Sequence, residues 1–364
     1  MKFFKYFSYL IEIIFKSKFI FSKPEKTQVL LYDQGKKFNE QVKQTLKKKT
    51  VSIIYVRLEE INFYVLFKII IELKFLNGKK LFFNYLLEYC RIVDPDWVIT
   101  SIYWDQKFYK LKKELKKDTK FCIIQRMPFY ENLVSVFKEK QLVDFFFCYD
   151  EFSKKIYKSI IDSKYVIIGS FSSNFYSKEK KIEKKDILLI SGFRENFLSH
   201  NKENIYLKNL NQEKKIINYL IKFSEKENLN FDILLKPNVK TKNYSNHFKI
   251  SNNKLIFNTG DNAYKIIDNY QFILLTNYSA MGFEAAARGL KYGVIPMLSN
   301  PENNKNKNSF NIHLDGDDYI NFKKFMKNIF YENEEIFFKK YDETFSSCLF
   351  DQENKIFQSY ISKF

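Results

Sequence analysis

The chain has 364 residues and 45% hydrophobic content, enough for two α/β domains that each bury a core. Its formal net charge of +19 fits an anionic partner such as a membrane surface, nucleic acid or phosphorylated substrate, or lysine used as the default surface residue. Lysines spread along exposed helix positions, as in Lys110–Lys117, make a diffuse field, and no RNA-recognition, zinc-finger or helix-turn-helix pattern is present, so nucleic-acid binding is disfavoured.

Residues 1–24 are expected to form an amphipathic helix. Phe3, Phe7, Leu10, Ile14 and Phe21 recur at helical spacing, with Lys2, Lys5 and Lys16 at the flanks. A signal peptide is disfavoured because Lys5, Glu12 and Lys16 interrupt the apolar region. A membrane span is disfavoured because no uncharged run approaches the roughly 20 residues required. Such a helix either lies on an anionic leaflet or packs on the protein's own core.

From residue 25 to 176 short apolar runs alternate with helical patterns. Strands are expected at Gln28–Tyr32, Val51–Val56, Trp97–Ile102, Phe121–Gln125, Phe145–Cys148 and Tyr165–Ile168, and helices at Phe38–Lys49 and Ile61–Phe75. This rhythm implies a parallel sheet with right-handed crossovers. The charged run Ser177–Asp186 reads as a linker. A second domain, 187–340, then restarts with strands Ile187–Ser191, Phe231–Leu235, Leu255–Phe257 and Phe272–Leu275 and a helix at Gln212–Asn228. Asn300–Ser309 is a polar loop, either a donor lid or plain surface. Residues 341–364 form a C-terminal helical segment, with a final helix at Asn354–Lys363.

Cys90, Cys122, Cys148 and Cys348 include no Cys-x-x-Cys pair and suit a reducing cytoplasm. His200, His247 and His313 are too scattered for a zinc site.

The most informative stretch is Phe272–Gly289. Four apolar residues form a strand, Thr276, Asn277 and Ser279 are capping or turn residues, Ala280–Arg288 are helix formers, and Gly289 stops the helix. A helix start fed by a strand offers free N–H groups and a partial positive charge to a phosphate. Glu284, one turn in, can accept hydrogen bonds from ribose hydroxyls. Ser279, Gly282, Phe283, Glu284, Ala285 and Gly289 resemble the Ser-x-x-Gly-aromatic-Glu-Ala-x-x-x-Gly element of bacterial surface-carbohydrate and capsule glycosyltransferases of GT-B fold. The resemblance implies two doubly wound Rossmann-like domains facing a cleft, with Thr276, Asn277 and Ser279 at donor phosphate and Glu284 at the ribose.

Two neighbouring strand ends fit that family. Gly192 and Arg194, after Ile187–Ser191, offer a backbone approach and a counter-charge to phosphate, or merely a turn. Lys236-Pro237-Asn238-Val239 resembles the Lys-Pro-His-Pro end of sialyltransferase-like and glycerophosphate-transferase-like GT-B enzymes. Lys236 still suits phosphate, but Asn238 replaces the histidine and cannot protonate a leaving group. In the first half, Ile99–Leu111, with Asp105-Gln106 before Phe108-Tyr109, and Ile124-Gln125 resemble segments of surface-carbohydrate biosynthesis proteins.

An inverting transfer needs a carboxylate to take the acceptor proton and positive charge on the departing phosphate. Asp105 is the leading base and Asp33, beside Gly35, the second. Each is otherwise a helix cap or turn residue, and Glu59, Glu60 and Glu131 stay open. The expectation is a metal-independent glycosyltransferase without cofactor at the cytoplasmic face of a bacterial inner membrane. It would use a nucleotide-sugar donor, a CMP-linked acidic sugar preferred, and a lipid-linked or glycan acceptor. The alternatives are transfer of a polyol phosphate from a CDP-linked donor, or a non-catalytic polysaccharide-assembly or anionic-surface binding protein.

Overall fold

The structure, a computed structural model, describes residues 17–33, 35–74, 80–115, 118–126, 137, 139–178, 183–195, 204–250, 254–257, 263–276, 279–295, 314, 318–340 and 349–363. The chain divides into two compact units, 1–175 with 353–364, and 176–352.

The first unit begins with strand β1 (Lys18–Ile20), followed by β2 (Val29–Tyr32), α1 (Lys36–Thr45), β3 (Val51–Ile54), β4 (Glu60–Asn62), α2 (Phe63–Ile71) and α3 (Leu81–Val93). It continues through β5 (Trp97–Thr100), α4 (Gln106–Glu114), β6 (Lys120–Ile124), β7 (Gln141–Cys148), α5 (Glu151–Tyr157), β8 (Ile161–Ile167) and α6 (Phe171–Phe175). Six strands form one parallel sheet in the order β3-β2-β5-β6-β7-β8. Val29 and Leu31 pack on one face with Phe38, Trp97 and Phe147, while Leu30 and Tyr32 pack on the other with Leu86, Phe108 and Phe146. A strand covered on both faces needs apolar residues at every position, which is why β2 reads as an unbroken apolar run, whereas the edge strand β8 carries Asp162, Ser163 and Lys164. A closing helix, Lys355–Ser362, belongs to this unit. Phe357 lies 5.0 Å from Phe147 and 5.2 Å from Phe171, ring to ring, and Asn354 donates to the Phe171 carbonyl at 3.0 Å.

Two expectations change here. Residues 17–24, placed in an N-terminal helix, are not helical: 18–20 are a strand pairing in parallel with β4, and residues 1–16 lie outside the described residues. Backbone partners at Glu60–Asn62 outcompete the helix, and Phe19 packs edge-on against Phe63 at 5.2 Å. The helix expected from Ile61 starts at Phe63, because Asn62 ends β4 and caps α2 by accepting from the Val65 amide at 3.1 Å.

The second unit contains β9 (Lys185–Ile190), α7 (Asn204–Glu227), β10 (Phe231–Leu235), α8 (Thr241–Phe248), β11 (Leu255–Phe257), α9 (Ala263–Ile267), β12 (Tyr270–Leu275), α10 (Ala280–Ala287), β13 (Lys291–Val294), α11 (Tyr319–Phe330) and α12 (Glu334–Lys340). β9 takes in Lys185 and Asp186, which their charge had assigned to the linker. Residues 300–309 and 341–348 lie outside the described residues. The sheet is parallel, in the order β11-β10-β9-β12-β13. Arg288, fully buried after α10, fastens the unit's beginning to its middle. It pairs with Asp268 through Nε at 2.8 Å and Nη2 at 2.5 Å and donates to the carbonyls of Tyr176 and Ser177 at 3.2 Å.

Candidate functional site

Each sheet reverses its strand order once, and a doubly wound sheet opens a crevice at the carboxyl ends of the strands beside that reversal. In the first unit the reversal lies between β2 and β5, whose ends are level: Tyr32 pairs with Thr100. Both candidate bases leave from there. Asp33 follows β2 directly, is buried, accepts from the Gly35 amide at 3.0 Å and stands 3.6 Å from Arg57 Nε. Gly35 then opens α1 with φ of 82°, a left-handed value suited to glycine. Asp105 caps α4, accepting from the Lys107 amide at 3.0 Å, and receives the Tyr32 hydroxyl at 2.7 Å and Lys107 Nζ at 3.3 Å. Burial and the Asp105 charge push the Tyr32 hydroxyl pKa up, so Tyr32 stays a proton donor to that carboxylate. Glu60 is drawn elsewhere, into β4 and an ion pair with Lys18 at 3.1 Å, and exposed Glu59 precedes it; Glu131 lies outside the described residues.

In the second unit the reversal lies between β9 and β12, where Ile190 pairs with Leu275. The Gly192 amide donates to Thr276 Oγ1 at 2.7 Å, and Lys236 Nζ, from the end of β10, donates to the Gly192 carbonyl at 3.2 Å. Gly192, Thr276 and Lys236 are therefore one cluster, and the Gly192 amide expected at phosphate is engaged by Thr276. Burial and the nearby Arg194 charge lower the Lys236 pKa to about 8. Arg194 itself is exposed, as is Asn238 on the turn after β10. Ser279 caps α10, accepting from the Met281 amide at 3.3 Å. Glu284 lies past the first turn, buried, and accepts from the Tyr264 hydroxyl at 3.0 Å. The ordinary preference of acidic residues for a first helical turn therefore does not account for it. Gly282 has a packing reason: a Cβ there would meet the Tyr292 ring at 2.9 Å. Asn277 lies outside the described residues.

Glu213 on α7 was not anticipated. It is buried and accepts from the hydroxyls of Ser191, at the end of β9, and of Tyr244, the latter at 2.9 Å. Burial raises its pKa. Its spacing from Leu210, Ile217 and Leu220 puts it on the apolar face of the helix, and a carboxylate there is the signal that could have found it. Cys90, Cys122 and Cys148 are buried thiols with raised pKa values, behaving as small apolar side chains. Among the described residues no helix is long and apolar enough to cross a membrane.

Several solved structures share the fold. A wall teichoic acid polymerase, TagF, is 12% identical with a TM-score of 0.51, covering 93% of this chain and 88% of that one. The UDP-GlcNAc 2-epimerase of Methanocaldococcus jannaschii, solved with UDP-GlcNAc and UDP, is 12% identical at 0.49, covering 92% and 99%. The spinosyn rhamnosyltransferase SpnG is 9% identical at 0.49, with the same coverage of 92% and 99%. The likeness is one of fold, α/β with parallel sheets of the GT-B kind. The comparison with curated proteins gives no match. Residues 127–363 match the family described as "putative O-antigen biosynthesis protein", and the chain belongs to that family.

Proposed function

We propose that the chain is a glycosyltransferase of O-antigen or related surface-polysaccharide assembly, inverting and metal-independent, with a nucleotide-activated sugar as donor. The observation that carries this reading is the set of groups the second unit gathers after β9, β10 and β12. Two cations, Lys236 and Arg194, follow β10 and β9, and a Ser279-capped helix with Glu284 one turn in follows β12. Cations and helix N–H dipoles suit a diphosphate or monophosphate leaving group, and the carboxylate suits ribose hydroxyls.

In this reading Asp105, with Asp33 as its alternative, takes the proton from the acceptor hydroxyl. The oxygen attacks the anomeric carbon, and the nucleotide departs with the bonding electrons while Lys236 and Arg194 offset its charge. The Lys236-Pro237 resemblance favours a CMP-linked acidic sugar, and the protein acts at the cytoplasmic face of the inner membrane on a lipid-linked or glycan acceptor. A thermal-shift panel of CMP, CDP, UDP and GDP tests the donor. Stabilisation by CMP above the others is expected, and no shift with any of them refutes a nucleotide-dependent enzyme. Product analysis after turnover then separates sugar transfer from polyol-phosphate transfer.

A further inference from the structure

Helix α2 is apolar nearly all round, yet only one side of it is buried. Val65 and Ile69 are fully buried, whereas Phe67, Ile70 and Ile71 are 64%, 56% and 63% exposed, with Phe63 and Tyr64 partly exposed beside them. A helix of this composition ordinarily lies inside a protein or a lipid phase. Exposed apolar side chains are found at both ends of the helix as well. Phe21, 73% exposed, stacks on Phe63 at 5.2 Å. Past the far end, where Asn84 of α3 donates to the Lys74 carbonyl at 2.9 Å, Leu73 is exposed, as is Leu81 at the start of α3. Contiguous apolar surface of this kind marks an interaction site.

The charge beside the patch indicates the partner. A cavity of about 700 Å³ opens next to Leu81, lined by Phe82, Phe83 and Trp104 and by four lysines, Lys80, Lys107, Lys110 and Lys113. Two carboxylates oppose them, Asp105 and Glu114. Lys107 pairs with Asp105 at 3.3 Å and Lys113 stands 3.8 Å from Glu139, while Lys80 and Lys110 have no ion pair among the described residues. Along α2 itself the charges are matched. Lys68 and Lys74 meet buried Glu88 at 2.8 Å and 2.6 Å, and both also meet Glu72. The apolar strip is thus locally neutral and bordered on one side by excess positive charge. A second copy of this chain, or its own Lys2-, Lys5- and Lys16-bearing N-terminus, would bring like charge to that border.

We propose that the exposed face of α2 and the lysine-lined mouth beside it form a docking surface for an anionic phospholipid bilayer. The apolar side chains enter the boundary between headgroups and acyl chains, and the lysines meet lipid phosphates. The surface lies on the unit that carries Asp33 and Asp105, so attachment holds that unit where a lipid-borne acceptor would be met. Vesicle binding does not require the donor reading to hold, because it is measured without nucleotide.

The test is co-sedimentation of the full chain with vesicles of phosphatidylcholine alone and of phosphatidylcholine mixed with phosphatidylglycerol. Binding to the mixed vesicles, weakened by salt, is expected. The double variant Phe67→Ser/Ile71→Ser should reduce it at least about tenfold. Lys80→Gln/Lys110→Gln should reduce it about fivefold per lysine on anionic vesicles only. All four side chains are exposed, so melting curves should match the parent. The proposal is overturned if the parent ignores anionic vesicles, or if both variants bind as the parent does. It is also overturned if only Phe7→Ser/Leu10→Ser loses binding. Sedimentation velocity covers the remaining occupant: a dimer that Phe67→Ser/Ile71→Ser splits, with no vesicle binding by the parent, would make α2 a self-association face and refute the proposal.

Discussion

The two units reverse their strand order in the same way and place different side chains at the reversal. At the β2/β5 reversal the strand ends deliver two carboxylates, Asp33 and Asp105, with the Tyr32 hydroxyl held on the second. At the β9/β12 reversal Thr276 accepts from the Gly192 amide, and Lys236, from the end of the neighbouring β10, donates to the Gly192 carbonyl. Strand order fixes where a ligand can sit, and the few residues after each strand fix whether the place accepts protons or holds anions. If that division is real, substitutions in the two crevices should separate turnover from donor binding.

The largest effect is expected in the acidic crevice. Asp105→Asn preserves the α4 cap, because asparagine caps as well as aspartate, and removes the basicity. Turnover should fall about 10²–10⁴-fold with nucleotide affinity unchanged by calorimetry. Normal turnover of Asp105→Asn combined with loss in Asp33→Asn would move the base to Asp33. Full activity of both variants would end the division of labour.

Next comes the scaffold of the basic crevice. Asp268→Ala takes the Asp268 carboxylate from the fully buried Arg288 guanidinium, and breaking such a pair costs about 3–5 kcal/mol. Calorimetric melting should show the second unit unfolding earlier while the first, which lacks this contact, keeps its transition. A single unshifted transition would mean that Arg288 finds other partners.

Glu284→Ala probes the basic crevice itself. Loss of a hydrogen bond to a charged group is worth about 1.5–3 kcal/mol, so nucleotide affinity should weaken roughly ten- to hundredfold with the fold retained. Unchanged affinity would remove Glu284 from the nucleotide site.

Local signals made part of this architecture legible in the sequence. Ser279 as a cap, Gly289 as a stop at φ of 72°, and the strand feeding them were readable because each depends on its immediate neighbours. The nearness of Asp33 to Asp105 was not readable as such. It follows from β5 lying beside β2 in the sheet, which no spacing encodes. Glu213 shares a helix face with Leu210, Ile217 and Leu220, but that spacing does not name its partners Ser191 and Tyr244, and nothing local to Arg288 names Asp268, 20 positions away. Lys18–Ile20 was misassigned for the same reason. An apolar-basic alternation of three residues fits helix or strand, and its partner at Glu60–Asn62 decided the outcome.

The smallest effect concerns the charge on Lys236. Its pKa of about 8 lies below the ordinary lysine value of 10.5, chiefly because burial disfavours the ammonium, with Arg194 adding repulsion. In the free protein the side chain is therefore cationic at pH 7 and mostly neutral at pH 9. Bound phosphate would favour the charged form, so binding above pH 8 must first take up a proton. Affinity for the preferred nucleotide should then fall by at most about tenfold per pH unit there, and hardly change below pH 7. Lys236→Met should flatten this dependence. The same shift has the opposite sign for stability. Between pH 8 and 10.5 the unfolded chain holds the proton that the folded chain has lost, so this group makes folding more favourable as pH rises through that window. An affinity that declines while the melting temperature holds or rises would separate loss of an anion-binding charge from loss of structure. A parent protein whose affinity is flat from pH 7 to pH 9 would remove Lys236 from the phosphate site and leave Arg194 and the α10 N-terminus to hold it.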